Sequence, residues 1–310
     1  MWLWVVLAWS APDDGLLGCS GEPTEQQRMR CVYMQGRKTG AFPEAEAVLR
    51  ARPGPWAKLN LANVVAAQGG DVEPLYQDAV SAFAEGPTEG AVKGWLGLRT
   101  VYDRAGRTED VDRALGRAWA LAEGDPVLTA RVDVEAGRTY FWREDRELAV
   151  RYARRALTVE GIEYQTELVA LHVLAGVLVE LGQPEASWTF SERLVALTAE
   201  AGDAYVESNT RMNALLVALD RPYLIEMDPL EYARRSLVVA ERGENPYAAA
   251  GLRCAIAELS DDVPALESCL ADVRRLEDPV SEGMALRALA LRVPTREAAQ
   301  RRLDEAAPHG

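Results

Sequence analysis

Basic residues are scarce in this sequence. Lysine and arginine number 34 against 48 aspartates and glutamates, which leaves a net charge of −14 over 310 residues. A nucleic-acid binder needs a basic stripe to neutralise phosphates, and a membrane-surface protein needs a polybasic patch. Neither pattern occurs, so no nucleic-acid partner is expected. Histidine is limited to His172 and His309. With four widely spaced cysteines, no zinc-ligand motif can be assembled, and no metal is expected. No glycine-rich phosphate loop and no strand-like alternation are found, so no cofactor is expected either. No apolar run reaches the roughly 20 residues of a membrane-spanning helix. Tryptophan and phenylalanine stop at Phe190, and beyond it the aromatics are Tyr205, Tyr223, Tyr232 and Tyr247.

What is present is apolar and helical. Apolar residues make up 48% of the chain, enough to bury a core along its length. Trp95, Leu98 and Tyr102 sit at i, i+3 and i+7, one face of a helix. Gly106 breaks that helix, and a second runs to near Leu121. Pro126 starts a third, and a fourth carries Ala149, Ala153 and Ala156. Upstream, helices are expected over 24–35 and 43–52, then from Pro55 to Gly69-Gly70, with Asp71 capping the next. Downstream they are expected over 164–181, from Pro184, and over 204–219, 229–241, 246–259, 263–276, 279–291 and 295–306. Four starts use one device: Asp125-Pro126, Asp228-Pro229, Asn245-Pro246 and Asp278-Pro279. The acid or amide accepts a free backbone N–H, and the proline loses nothing at the first helical position.

The pattern repeats. A small or apolar residue on each return helix falls at Ala79, Ala118, Ala156, Leu194, Ser236 and Ala271, with gaps of 39, 38, 38, 42 and 35 residues. The longest gap holds Arg221-Pro222-Tyr223, read as a longer turn. Tyr152-Ala153-Arg154-Arg155-Ala156-Leu157 is echoed 80 residues later by Tyr232-Ala233-Arg234-Arg235-Ser236-Leu237.

These residues resemble the tetratricopeptide repeat family, whose helix–turn–helix unit follows W-x2-L-G-x2-Y, then A-x3-F, then P. Trp95, Leu98 and Tyr102 match the leading helix, with Arg99 in place of the glycine. Gly137 and Tyr140 match one unit later, and Trp56 and Leu59 one unit earlier. The match covers Trp56 to Leu197, and the period exceeds the family's roughly 34 residues. The resemblance implies an all-α fold, a right-handed α-α superhelix of about seven or eight hairpins. With residues 1–10 read separately as a signal peptide and 11–23 as a linker, the resemblance leaves 24–54 as an N-terminal capping hairpin and 55–310 as the repeat domain. It also implies a concave groove, formed mainly by leading helices, that holds a protein or peptide. On that basis Lys58, Asn60, Asn63, Arg99, Tyr102, Asp133, His172, Asn209 and Asn213 are the expected groove contacts.

Residues 1–10, Met-Trp-Leu-Trp-Val-Val-Leu-Ala-Trp-Ser, read as the apolar region of an export signal, with cleavage before Ala11. Leu16-Leu17-Gly18-Cys19 also resembles a lipoprotein box, although Pro12, Asp13 and Asp14 would break its apolar region. Four cysteines in an exported chain suggest two disulfides. Cys19 would staple the linker to Cys31. Cys254 and Cys269 are equidistant from a turn at Asp261-Asp262. Helix axes roughly 8–10 Å apart, each Cα about 2.3 Å off its axis, bring two inward Cα atoms within bridging range.

No catalytic constellation is expected. His172 lies in an apolar helix with no nucleophile paired to it by motif, and Cys254 with His172 lacks any protease signature. The arginine pairs Arg154-Arg155, Arg234-Arg235, Arg274-Arg275 and Arg301-Arg302 read as solvated faces paired with neighbouring acids. The sequence therefore points to a non-catalytic, exported interaction scaffold. An envelope lipoprotein anchored at Cys19, or a sensor arm serving a separate protease or kinase, are the alternatives.

Overall fold

The computed structural model of the chain describes residues 19, 21–22, 24–219, 221–292, 300–301 and 304. The expected signal peptide, most of the linker, the greater part of the expected 295–306 helix and His309 lie outside these residues. Fifteen α-helices and no strand occur among the described residues, and the chain is an all-α helical-repeat solenoid. The first hairpin is α1 (Glu25–Thr39) with α2 (Phe42–Arg50). Then come α3 (Pro55–Ala67) with α4 (Glu73–Ala82), α5 (Thr88–Arg104) with α6 (Thr108–Ala122), and α7 (Pro126–Trp142) with α8 (Arg146–Leu157). The remainder are α9 (Tyr164–Glu180) with α10 (Pro184–Glu200), α11 (Ala204–Leu219) with α12 (Pro229–Arg242), α13 (Pro246–Leu259) with α14 (Val263–Arg275), and α15 (Pro279–Ala290). A short 3-10 turn, Pro222–Leu224, fills the long gap before α12.

Local chemistry explains these boundaries. Asp125 accepts from the Val127 and Leu128 N–H groups, Asp228 from Glu231, Asn245 from Ala248 and Asp278 from Ser281. Each satisfies a donor that the first turn leaves free, and each is followed by proline. Asp71 is a correction: α4 starts at Glu73 behind Val72, with no side-chain cap. Asp71 instead ends the Gly69-Gly70 turn. Of the repeating return-helix positions, Ala79, Ala118, Ala156, Leu194 and Ser236 are buried. Ala271 is exposed, and its neighbours Leu270 and Val273 are buried instead.

The helices gather in two compact units. The first contains α1 to α7 and residues 155–163; the second contains residues 144–154 and α9 to α15, so the division passes through α8. In the first unit the leading helices pack in sequence, α1 on α3, α3 on α5 and α5 on α7. Helix α4 lies close against α5 because α5 carries glycine at the contact. A Cβ at Gly90 would overlap the Phe83 ring, and one at Gly97 would overlap the Tyr76 ring. Phe83 also meets Trp56 edge-on, with ring centroids 4.9 Å apart. Cys19 is buried and bridges to Cys31 on α1, with a Cα–Cα distance of 5.7 Å.

The second unit has two apolar clusters. Met212, Leu215, Ala218, Ala249 and Leu252 fill the space between α11 and α13. Each fully buried leucine here contributes about 1.5–3 kcal/mol of transfer free energy. Cys254 and Cys269 sit in the next cluster and bridge α13 to α14, with a Cα–Cα distance of 5.4 Å. Polar staples join the hairpins: buried Asn245 donates to the Tyr205 carbonyl, Ser208 Oγ and Asn209 Oδ1 on α11. Buried Glu207 accepts from Arg211 at 2.8 Å and Arg242 at 3.2 Å.

Candidate functional site

Of the nine expected groove residues four are buried, three half-buried and two exposed. Asn60, Arg99, Tyr102 and Asp133 are all buried. Asn60 donates back to the Trp56 carbonyl within α3 at 2.8 Å. Tyr102 stacks beneath the Arg107 guanidinium, 4.4 Å from the ring centroid. Asp133 accepts from Trp119 Nε1 at 2.9 Å and pairs with Arg155. Lys58 pairs with Asp78 of the return helix at 2.9 Å. In the second unit His172 and Asn213 are exposed, while half-buried Asn209 belongs to the Asn245 staple. Asn63 alone of the nine lines a cavity in the first unit, of about 650 Å³.

Three leading helices shape that cavity. Tyr33 and Arg37 come from α1, Asn63 and Ala66 from α3, and Gly97, Thr100 and Arg104 from α5, with Tyr76 reaching in from α4. Residues 26, 30, 33 and 37 share one face of α1, and 89, 93, 97, 100 and 104 share one face of α5. The two faces oppose each other. At one end they touch, where Gln26 Nε2 donates to Glu89 at 3.1 Å. At the other end they stand apart, leaving the cavity between Arg37 and Arg104. The result is a wedge with α3 as its floor. The Tyr76 hydroxyl donates to Asn63 Oδ1 at 2.7 Å across that floor. Burial raises the Tyr76 pKa above its ordinary value, the nearby Tyr33 adds to this, and Arg104 opposes it.

The closed end of the wedge and the adjoining α5–α7 face are a charge network. Lys93 pairs with Glu89, and Arg131 pairs with Glu163. Burial pushes the Glu89 carboxyl up, but its bonds from Lys93 and Gln26 outweigh this and hold it below its ordinary 4.5. Burial also lowers the Lys93 ammonium, with Arg131 and Arg30 adding repulsion against the attraction of Glu89. Glu135 takes both Arg99 and, at 2.8 Å, Arg138. Burial first and Arg138 second pull the Arg99 guanidinium down to about 9, so it stays charged at neutral pH. Its Nε finds no partner among the described residues.

Three cations stand outside this balance. Arg30, Arg37 and Arg104 are exposed and have no ion pair among the described residues. Asp71 is the carboxylate lining the cavity. None of these cations, nor Tyr33, Tyr76, Lys93, Thr100, Arg131 or Arg138, was singled out by the repeat motif. The signal lay in polar residues at 26, 30, 33 and 37, a helical period on a helix that precedes the recognisable repeats. Among the described residues no three His, Cys, Asp or Glu side chains gather as a metal-ligand set. No described helix is long and apolar enough to cross a membrane.

No protein-family model matches this sequence, and no curated protein matches it. Solved structures do. The chain is similar to a signal transduction ATPase with numerous domains (STAND) protein with a tetratricopeptide repeat sensor, from Pyrococcus horikoshii, at TM-score 0.66 and 14% identity. That likeness covers 95% of this chain and 51% of the other, so this chain spans about half the length of that protein. It is also similar to the apo form of RapI, at TM-score 0.61 and 10% identity over 92% of this chain and 87% of the other. Aspartyl phosphate phosphatase F from Bacillus subtilis gives 0.54 and 12%, over 93% and 86%. At these identities the likeness establishes the helical-repeat fold.

Proposed function

We propose that this protein is a non-catalytic interaction scaffold whose first unit holds an extended segment of a partner protein in the wedge between α1 and α5. The carrying observation is the open cavity of about 650 Å³ between leading helices, where polar side chains stand among the small apolar Ala66, Ala67, Val72, Val101 and Ala105. Rigid helices supply the walls, so binding costs little ordering of the scaffold. Tyr33, Asn63 and Thr100 are the contacts assigned to it, together with the arginines at its mouth. His172 and Asn213 are exposed on leading helices of the second unit and remain assigned as contacts of that unit. We also propose export: the Cys19–Cys31 and Cys254–Cys269 bridges fit an oxidising compartment. The first bridge weighs against lipidation of Cys19, because a thiol in a disulfide is not available to an acyl chain.

Photo-crosslinking tests the groove reading. A benzophenone side chain is placed at Tyr33, at Thr100, or at Gly116 on α6, where added atoms meet open space. The reading expects one protein product, identified by mass spectrometry, from both Tyr33 and Thr100 and not from Gly116. Equal products from all three positions, or none from the wedge, would refute it. A second reading, a sensor arm within a larger signalling assembly, draws on the sensor-bearing protein whose length this chain half spans. Co-purification with an ATPase, protease or kinase under native conditions would favour it.

A further inference from the structure

We infer that the segment held in the wedge is acidic, with its carboxylates met by Arg37 and Arg104 at the mouth. This rests on the groove reading above and adds the chemistry of the partner. The chain as a whole is strongly acidic, at −14. The wedge reverses that sign. At its closed end Lys93 is neutralised by Glu89, and Arg131 by Glu163. Arg30, Arg37 and Arg104 are not neutralised by any ion pair among the described residues. They are exposed, and the latter two border the cavity, where Asp71 is the lining acid.

Three unpaired guanidinium groups on one surface repel each other unless an anion joins them. An acidic side chain does so with charge-assisted, bidentate bonds, for which arginine is the suited donor. The spacing limits the ligand further. Arg30 and Arg37 are seven residues apart on one helix face, about 10 Å along the axis. An extended chain covers that distance in about three residues. In a polyproline-II-like extended segment, with three residues per turn and a rise of about 3.1 Å per residue, acidic side chains three positions apart share a face about 9 Å apart and so meet both. The surrounding negative field disfavours a polyanion such as nucleic acid, which carries charge all along its backbone. A short acidic stretch presents charge only where the arginines are.

The test uses fluorescein-labelled dodecapeptides of four Glu-Gly-Ala units, with Lys-Gly-Ala and Gln-Gly-Ala counterparts and a twelve-nucleotide oligothymidylate. Anisotropy is read at low salt. The glutamate peptide is expected to bind, to weaken as salt rises, and to lose about tenfold or more of its affinity in Arg37→Gln/Arg104→Gln. Arg113→Gln/Arg117→Gln removes the same charge from the exposed face of α6 and is expected to stay within about twofold of wild type. Equal loss in both double variants would overturn the site in favour of bulk charge. So would oligothymidylate binding as tightly as the glutamate peptide. If the glutamine or lysine peptide binds best and gives Tyr33 crosslinks, the acidic assignment falls while the groove reading stands. If no peptide binds and Tyr33 gives no crosslink, both fall.

Discussion

Arg99 and Glu135 form an unequal pair, and the inequality can be measured. The Arg99 side chain is 2% exposed, whereas that of Glu135 is 19% exposed and also holds Arg138 at 2.8 Å. Remove the carboxylate, and a buried cation is left with Asp103 at 3.7 Å as its nearest remaining acid. Breaking a buried pair by removing one partner typically costs 3–5 kcal/mol, and the residual help from Asp103 places Glu135→Gln at about 2–3 kcal/mol. Remove the cation instead, and Glu135 keeps Arg138 and part of its solvent. Arg99→Met replaces the guanidinium with an apolar side chain of similar reach and also removes the unpartnered Nε. It is expected to fall within about 1 kcal/mol of wild type. Urea unfolding followed by far-ultraviolet circular dichroism reads both, with the Glu135→Gln midpoint lower by about 1 M. The double variant should resemble Arg99→Met, because the cost of Glu135→Gln arises from the stranded charge. If Arg99→Met is the more damaging of the two, the guanidinium is a structural keystone and this accounting is wrong.

Glycines on α5 and α6 should respond in opposite directions. Gly97→Ala drives a methyl into the Tyr76 ring and is expected to cost about 1–3 kcal/mol, whereas Gly116→Ala enters open space and should gain about 0.5–1 kcal/mol. Thermal unfolding of the two variants decides; a shift of the same sign in both contradicts the packing described. Replacing Cys254 and Cys269 together with alanine opens a bridge of sequence separation 15 and should lower stability by about 3 kcal/mol, read as a fall in the urea midpoint. No fall would mean that the bridge does not form in the protein. Glu89 binds its proton at lower pH when folded than when unfolded, so around and below pH 4.5 the unfolded chain holds more protons. Its contribution is present above 4.5 and is lost as pH falls through the folded value. Glu89→Gln should therefore flatten the stability profile between about pH 3 and 5, and an unchanged slope there would exclude the role assigned to Lys93 and Gln26.

Much of the fold was legible before any coordinates. Asn245-Pro246 starts a helix because its cap bond spans three residues, and Gly182 ends one because its φ of 69° suits glycine. Both signals are complete within one turn of chain. The Cys254–Cys269 bridge was legible for the same reason, since equal distance from a tight turn sets equal height on two antiparallel helices. Asp71 shows the limit: the residue type suits a cap, but the Gly69-Gly70 turn places it too early, and Val72 takes the position.

The groove was harder to read. Asp133 and Arg131 are two residues apart, so about 200° of helix rotation separates them. One is sealed against Trp119 and Arg155, and the other joins the α1–α5–α7 charge network. Nothing in residues 131–133 tells which of the two faces inward, because both are charged. Arg99 occupies a glycine position of the repeat pattern and is buried, yet the wedge passes one residue away, at Thr100. By itself, then, the sequence determined where helices begin and end, that they pair into hairpins and which cysteines join them, since each depends on residues within a turn or two. The tertiary structure alone decided which polar residues line the wedge and which are sealed between helices. That choice depends on how α1, α3, α5 and α7 pack, and such packing is set by contacts between residues far apart in the chain.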